Sequence, residues 1–315
     1  MTNTIKIKKM GVDLGNKTLK VAALVNNEFK TSSIDAIYNL DTAIQENTVE
    51  VAGDSIRLGV GTSTLSNVDK TKREFVEQHL LWSAHSIFGP GTHEISLTVG
   101  LPLNIYMNKE KRHDYKVMLE GISTIQGKVE GKDVVVNFSN VKVSAEGYAA
   151  LRVVSGEITS DYKTLVLDMG YGTTDVLLMD NVNNKLSIEK YKSFNVGLQD
   201  IYKALSPIIT KATGANVDRS LEEIDRSFLR TGKVKYLDKE VNLHDLLTEP
   251  TVVAVSKKLI DLIEEDFGEL GIYNVIPIGG GSKYLEASLN QKSFINIEEN
   301  TRLFANALGY ALMCI

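Results

Sequence analysis

An α/β fold of two related domains is predicted by three observations: one loop occurs twice, the same order of strands and helices follows each copy, and 315 residues, 43% of them hydrophobic, suffice for two cores. The first copy is Gly11-Val12-Asp13-Leu14-Gly15-Asn16-Lys17-Thr18-Leu19-Lys20-Val21. The second is Leu165-Val166-Leu167-Asp168-Met169-Gly170-Tyr171-Gly172-Thr173-Thr174-Asp175-Val176, with Asp13 over Asp168 and Gly15 over Gly170. In each, an apolar strand ends in Asp-x-Gly and the chain resumes as a second strand. A glycine turn lets backbone N–H groups approach an anion with no Cβ in the way, while the carboxylate facing the same spot suits a metal or its waters. Asp-x-Gly is also a common hairpin turn, but two copies roughly half a chain apart predict two domains facing one nucleotide.

The elements follow in order. Strands are expected at Ile5 to Val12, Thr18 to Val25 and Glu28 to Ser32, the last two joined at Asn26-Asn27. A polar stretch with short strands at Val49 to Ala52 and Ser55 to Val60 predicts a small inserted subdomain. Helical periodicity from Lys72 to Phe88 (Phe75, Leu80, Leu81, His85, Phe88) stops at Gly89-Pro90-Gly91. A buried strand, Ile95 to Gly100, is followed by a polar helix at Lys109 to Leu119, strands at Thr124 to Gln126, Asp133 to Phe138 and Asn140 to Val143, and a helix at Ala145 to Val154. The second half predicts strands at Thr164 to Leu167, Asp175 to Asp180 and Lys185 to Lys192, then helices at Leu198 to Lys211 and Ser220 to Leu229 and a short turn near Asn242 to Leu247. Pro250 opens a longer helix, since proline fits a first turn, with an apolar stripe through Val252, Val253, Val255, Leu259, Ile260 and Ile263. Tyr273 to Ile278 reads as a buried strand, Gly279-Gly280-Gly281-Ser282 as a glycine loop opening a helix, and Arg302 to Leu312 as the closing helix. The domains are placed at 1–155, with an insertion at about 33–93, and 156–300, the terminal helix 301–315 packing back on the first.

Composition narrows the function. The net charge of −5 provides no global attraction to nucleic acid, so contact with DNA would pass through an adaptor. One cysteine, Cys314, excludes a disulfide framework, a cysteine zinc site and an iron–sulfur cluster held within one chain, and fits a cytoplasmic protein. The N-terminal residues lack an apolar signal core, and no stretch approaches the roughly 20 apolar residues of a membrane span, so no membrane partner is expected. The five histidines, His79, His85, His93, His113 and His244, lack ligand spacing. Trp82 reads as core. The charge runs Lys70 to Arg73 and Lys109 to Arg112 read as solvated helix starts.

Five landmarks now stand in order: Asp13-Leu14-Gly15, a connecting helix bearing Glu146, Asp168-Met169-Gly170-Tyr171-Gly172-Thr173-Thr174, Ile278-Gly279-Gly280-Gly281, and a terminal helix with Gly309. The chain resembles the superfamily of actin, DnaK-type chaperones and sugar kinases, and within it most the bacterial plasmid-segregation actins, the ParM-like proteins. The resemblance covers nearly the whole chain. It implies an actin-like fold, two duplicated ribonuclease-H-like domains around a nucleotide cleft, and an ATP hydrolase that forms nucleotide-dependent filaments and segregates DNA. The cofactors implied are ATP, with GTP open, and Mg2+. The implied partners are further copies of the chain and a ParR-like DNA-binding adaptor on a centromere-like DNA.

By that resemblance Asp13 and Asp168 are the catalytic carboxylates that hold hydrated Mg2+. Gly15, Asn16, Gly170, Gly172 and Thr173 donate to the phosphates. Lys20, at the spacing where actins carry a phosphate-contacting lysine, is favoured over Lys17, the alternative being a solvated strand lysine. Glu146 orients or activates the attacking water; the alternative is a carboxylate complementing a helix N-terminus. Gly279, Gly280 and Gly281 form the adenosine motif with Ser282, and Gly197, in Asn195-Val196-Gly197-Leu198, is the glycine turn before the helix flanking the nucleotide. The base is assigned to the region of Arg219 to Arg226 without single residues. A chaperone would need a further domain. A small-molecule kinase would carry an aspartate base, and a dehydratase activator an iron–sulfur cluster. A cell-shape or division actin would carry a membrane-binding helix. The kinase and the cell-shape actin remain the alternatives.

Overall fold

The computed structural model describes residues 7–61, 63–64, 70–154, 158, 162–182, 185–215, 220–286, 289, 295 and 297–314. The chain forms two compact units, residues 1–156 with 304–315, and residues 157–303. Ile5, the start of the first predicted strand, lies outside the described residues.

In the first unit, strands β1 (Lys8–Leu14), β2 (Thr18–Val25) and β3 (Glu28–Asp35) form an antiparallel meander. Asn26 and Asn27 turn it with φ of 53° and 67°, the left-handed conformation that asparagine tolerates best among residues with a side chain. Next come β4 (Ile37–Asn39), β5 (Thr48–Val51), β6 (Asp54–Leu58), β7 (Ser63–Thr64), β8 (Gly91–Leu101), β9 (Thr124–Val129) and β10 (Lys132–Ala145). One ten-stranded sheet results, in the order β3-β2-β1-β8-β10-β9-β5-β6-β4-β7, with β8 parallel to both β1 and β10. The strands of the insertion therefore continue the main sheet, because β5 pairs antiparallel with β9. Helices α1 (Val76–Phe88), α2 (Leu103–Met107) and α3 (Lys109–Gly121) complete the connections. The two strands predicted at 133–138 and 140–143 are one, its register shifted at the bulge between Phe138 and Asn140. β8 also begins earlier than expected, at Gly91, because Gly91 to Glu94 pair with Val134 to Asn137.

The second unit repeats the plan. β11 (Thr164–Met169), β12 (Thr174–Val182) and β13 (Lys185–Phe194) form the meander, and β16 (Asn274–Ile278) lies parallel to β11 as β8 lies parallel to β1. Between them come α4 (Leu198–Thr213), α5 (Leu221–Arg230), the hairpin β14 (Lys233–Tyr236) and β15 (Lys239–Asn242), and α6 (Pro250–Phe267), opened by Pro250 at its first turn. α7 (Ser282–Glu286) follows β16, then α8 (Glu299–Leu303), and α9 (Ala305–Met313) returns to the first unit. The predicted closing helix is thus two segments, divided at Phe304.

Each core follows from strand pattern. Met10, Val12 and Leu14 of β1 are fully buried, as are Leu165, Val166 and Leu167 of β11. Gly11 and Asp13 of β1, between its apolar residues on the other face, are buried too, so both strands are covered on both faces. On one face of β1 the cover is α9: the ideal Cβ position of Gly11 lies 2.1 Å from the Ala307 carbonyl oxygen, so helix and strand touch backbone to backbone.

One element differs in kind. The helix predicted at Ala145 to Val154 is a turn followed by a short 3-10 helix, Ala149–Arg152. Gly147 takes φ of 75°, and its N–H donates to Oδ1 of Asn306 on α9 at 2.8 Å, which ends any helical ladder there. Glu146 consequently follows a strand and leads a turn, and the helix-dipole reading of its carboxylate loses its helix.

Candidate functional site

In the first unit the Asp-x-Gly loop is the connection from β1 to β2. Asp13 is 7% exposed and stands directly opposite Lys20 across the pair. Directly opposed residues of an antiparallel ladder share a face, so the carboxylate and the ammonium stem sit side by side, Lys20 half-buried. Asn16 is exposed at the loop's tip.

Behind this loop lies a charged group that the sequence reading missed. Of the run Lys70 to Arg73, expected to be solvated, Lys70 and Arg73 turn inward, 4% and 7% exposed. The reason is geometric. Lys70–Lys72 is a 3-10 helix, in which residues three apart eclipse, so Lys70 and Arg73 point the same way while Lys72 faces water. Arg73 donates to the carbonyl of Leu14 through Nη1 and to that of Gly15 through Nη2, the second bond 3.0 Å long. Carbonyl and following N–H of a trans peptide point in opposite directions. Tying these carbonyls to Arg73 therefore turns the N–H groups of Gly15 and Asn16 to the loop's other side, where an anion can meet them. Lys70 forms an ion pair with Oε1 of Glu146, whose side chain is 14% exposed.

Burial works against the charge on Arg73, and the fields of Tyr115, Asp13 and Glu146 oppose that effect. Tyr115 is pushed above the usual phenol range by burial, partly offset by Arg73. His79 is held near a pKa of about 3 by burial and by Arg73, so it stays neutral, its Nδ1–H donated to the Phe75 carbonyl. His79 thus serves the core, as does Trp82, 6% exposed, whose indole N–H reaches Asn47. Among the described residues no group of three or more His, Cys, Asp or Glu is placed to hold a metal. Lys109 to Arg112 do open a largely solvated helix, capped by the Asn108 side chain.

In the second unit the equivalent loop connects β11 to β12, and here the register places Asp175 opposite Asp168. Like charges directly opposed across a ladder are unfavourable, and an oxygen-seeking cation would relieve them. The loop closes on itself through Gly170 N–H to the Thr173 carbonyl at 2.9 Å. Two further glycine turns pack against it. Leu198 and Gln199 N–H bond the carbonyls of Gly170 and Tyr171 at 3.1 and 2.9 Å, and a Cβ on Gly197 would stand 2.6 Å from the Tyr171 oxygen, so that position admits only hydrogen. Asp200, in the first turn of α4, accepts from the Gly197 N–H at 3.0 Å.

The glycine triplet forms the other wall. Gly281 N–H donates to the Met169 carbonyl at 3.0 Å, and Gly279 N–H to the Arg302 carbonyl at 3.1 Å. Gly279 has φ of 84°, and a Cβ there would lie 2.6 Å from Oδ1 of Asp168. Glycine is required twice over, by conformation and by the carboxylate pressed against it. Ser282 is buried at the head of α7. The second unit therefore gathers Asp168, Gly170, Gly172, Thr173, Gly197, Gly279, Gly280, Gly281 and Ser282 into one cluster. The first gathers Asp13, Gly15, Asn16, Lys20 and Glu146, with Lys70 and Arg73 added.

Of the base region, Arg219 lies outside the described residues, and only the backbone of Arg226 is described. The segment is α5, capped reciprocally by Ser220 and Glu223. Its Asp225, 6% exposed, accepts from the Tyr202 hydroxyl at 2.9 Å, and the Tyr202 ring lies 6.4 Å from that of Tyr171 in the Asp-x-Gly loop.

A family model for the N-terminal domain of actin-like proteins matches residues 11–148, and one for the C-terminal part of archaeal MreB-like actin homologues matches residues 166–291. Both models describe actin-like proteins, and between them they match most of the chain. It is 29% identical over 151 residues to an archaeal actin homologue of Thermoplasma acidophilum, a match covering 46% of this chain and 45% of the relative, so the similarity spans about half the length of the curated relatives. The fold is shared more widely. A crystal structure of an archaeal actin homologue superposes with a TM-score of 0.75 at 21% identity over 98% of both chains, and a further structure of that homologue holds ADP. A ParM filament from Clostridium botulinum gives 0.69 at 18% identity over 98% of this chain and 99% of that one. Bacillus thuringiensis ParM with ATP gives 0.69 at 14% identity, with 98% of each chain covered. The actin-like chain thus has the expected fold, and it is similar to ParM. No helix among its described residues is long and apolar enough to cross a membrane.

Proposed function

We propose that this actin-like protein is a cytoplasmic ATPase that binds Mg-ATP through both Asp-x-Gly loops and assembles into nucleotide-dependent filaments, with DNA segregation through a ParR-like adaptor as its use. The observation that carries the reading is the packing of Asp168 and its loop against Gly279 and Gly281, where the Asp168 carboxylate and the Met169 carbonyl crowd the Cβ position of Gly279 and the Met169 side chain crowds that of Gly281, so that only glycine fits at either. A crowded glycine turn beside a carboxylate fits a metal-bound polyphosphate. The ADP and ATP complexes and the filament of the structural neighbours support nucleotide binding and self-assembly.

In this reading Asp13 and Asp168 are the residues that would hold Mg2+. Gly15, Asn16, Gly170, Gly172 and Thr173 donate to the phosphates, Lys20 adds a cation, and Gly197 and Gly279 to Ser282 shape the adenosine side. Bound Mg2+ supplies charge neutralisation at the phosphates. Glu146 orients the attacking water and takes its proton, the one task in phosphoryl transfer that positioning alone does not meet. A head-to-tail contact that does not close on itself generates a filament, and a nucleotide that favours one conformation shifts the population competent for that contact.

Mg-ATP added to the purified protein, with no acceptor present, should release inorganic phosphate in step with a rise in light scattering above a critical protein concentration, and scattering should fall as ATP is consumed. Phosphate recovered only on an added sugar or carboxylic acid, with scattering flat, would make the protein a small-molecule kinase.

A further inference from the structure

Lys70 belongs to no motif of the Asp-x-Gly or glycine loops, yet its side chain is 4% exposed and its ammonium is paired with the Glu146 carboxylate, 76 residues away. Burying an ion pair brings little net stability, because desolvation offsets the Coulomb gain and an apolar pair of similar volume does as well or better. What a buried ammonium does provide is direction. It holds a carboxylate at a fixed place. The same 3-10 turn directs Arg73 onto the Leu14 and Gly15 carbonyls. One turn of chain therefore orients both the first loop and the glutamate.

We infer that Lys70 is a positioning residue for hydrolysis, setting the orientation of Glu146 toward the attacking water. The inference rests on the role given to Glu146 above. A glutamate released from Lys70 would still be present, and ATP would still bind, but the carboxylate would lose the ammonium that sets its direction. Misplacement by about an ångström costs on the order of tenfold to a hundredfold in rate.

The test is steady-state phosphate release by Lys70→Met, Lys70→Arg, Glu146→Gln and the Lys70→Met/Glu146→Gln double variant, each first checked for a cooperative thermal melt. Lys70→Met should lower kcat about tenfold or more with KM for ATP within about threefold. Lys70→Arg, which keeps the cation, should recover most of the loss, and in the Glu146→Gln background Lys70→Met should cost nothing further. Unchanged kcat in Lys70→Met, a rise in KM alone, or an equal loss in the Glu146→Gln background would overturn the inference. If Lys70→Met does not fold, Lys70→Gln takes its place under the same criteria. Wild-type turnover in Glu146→Gln would overturn both the inference and the role of Glu146; inactive Glu146→Gln beside fully active Lys70→Met overturns the inference alone.

Discussion

Glu146→Gln should lower phosphate release by roughly 10²-fold or more while ATP affinity stays within about threefold. The substitution keeps size and one hydrogen-bonding oxygen and removes the proton acceptor. Its backbone anchor, the Glu146 N–H bonded to the Leu101 carbonyl at 2.9 Å, is untouched. Lys70 then faces an amide, which leaves an ammonium only partly compensated, so the melt should fall modestly while remaining cooperative. Filaments should still form on ATP, and the scattering plateau should persist because hydrolysis no longer ends it. Single-turnover phosphate release with a parallel binding titration separates the two quantities; wild-type release would remove Glu146 from the chemistry.

Asp168→Ala should weaken Mg-ATP binding by tenfold or more, about 1.4 kcal/mol. The carboxylate lies on β11 opposite Asp175 and against Gly279, so its removal opens space beside the glycine loop without touching the core residues Leu165 and Leu167. Removing one of two opposed carboxylates lessens like-charge repulsion across the ladder. The deficit should therefore appear only with the metal: in calorimetry with Mg2+ the variant falls behind, and with a chelator the two proteins converge. Equal affinity in Mg2+ would contradict the metal role, and a deficit that persists in chelator would assign Asp168 to the shape of the loop.

The contrast between what the chain discloses and what it conceals is physical. Both Asp-x-Gly loops and the glycine triplet were legible because their signal is local: a strand, a turn that excludes Cβ, a strand or helix again. β2 was legible to the residue, since Asn26-Asn27 and the alternation before it are complete in sequence. Glu146 was singled out by resemblance to the ParM-like actins, but the helix drawn around it was wrong, because the bond that replaces the helical ladder, from the Gly147 N–H, goes to Asn306, 159 residues away. Lys70 and Arg73 were read as solvated for the same reason. A short run of basic residues looks like any exposed helix start until its partners are known, and those partners, Glu146, Leu14 and Gly15, are 76, 59 and 58 residues distant. The three-residue spacing of the two inward cations was the only local clue. Likewise the long β10 was split in two, since nothing before the pairing with β8 distinguishes a bulge at Ser139 from a turn.

The most direct test of the account is electron microscopy of the purified protein with Mg-ATP, with Mg-ADP and without nucleotide, at one concentration above the scattering threshold. The account predicts filaments with Mg-ATP, their disappearance as ATP is exhausted, persistent filaments in Glu146→Gln, and single particles without nucleotide. Single particles under every condition, while ATP is bound and its phosphate passes to an added acceptor, would contradict it.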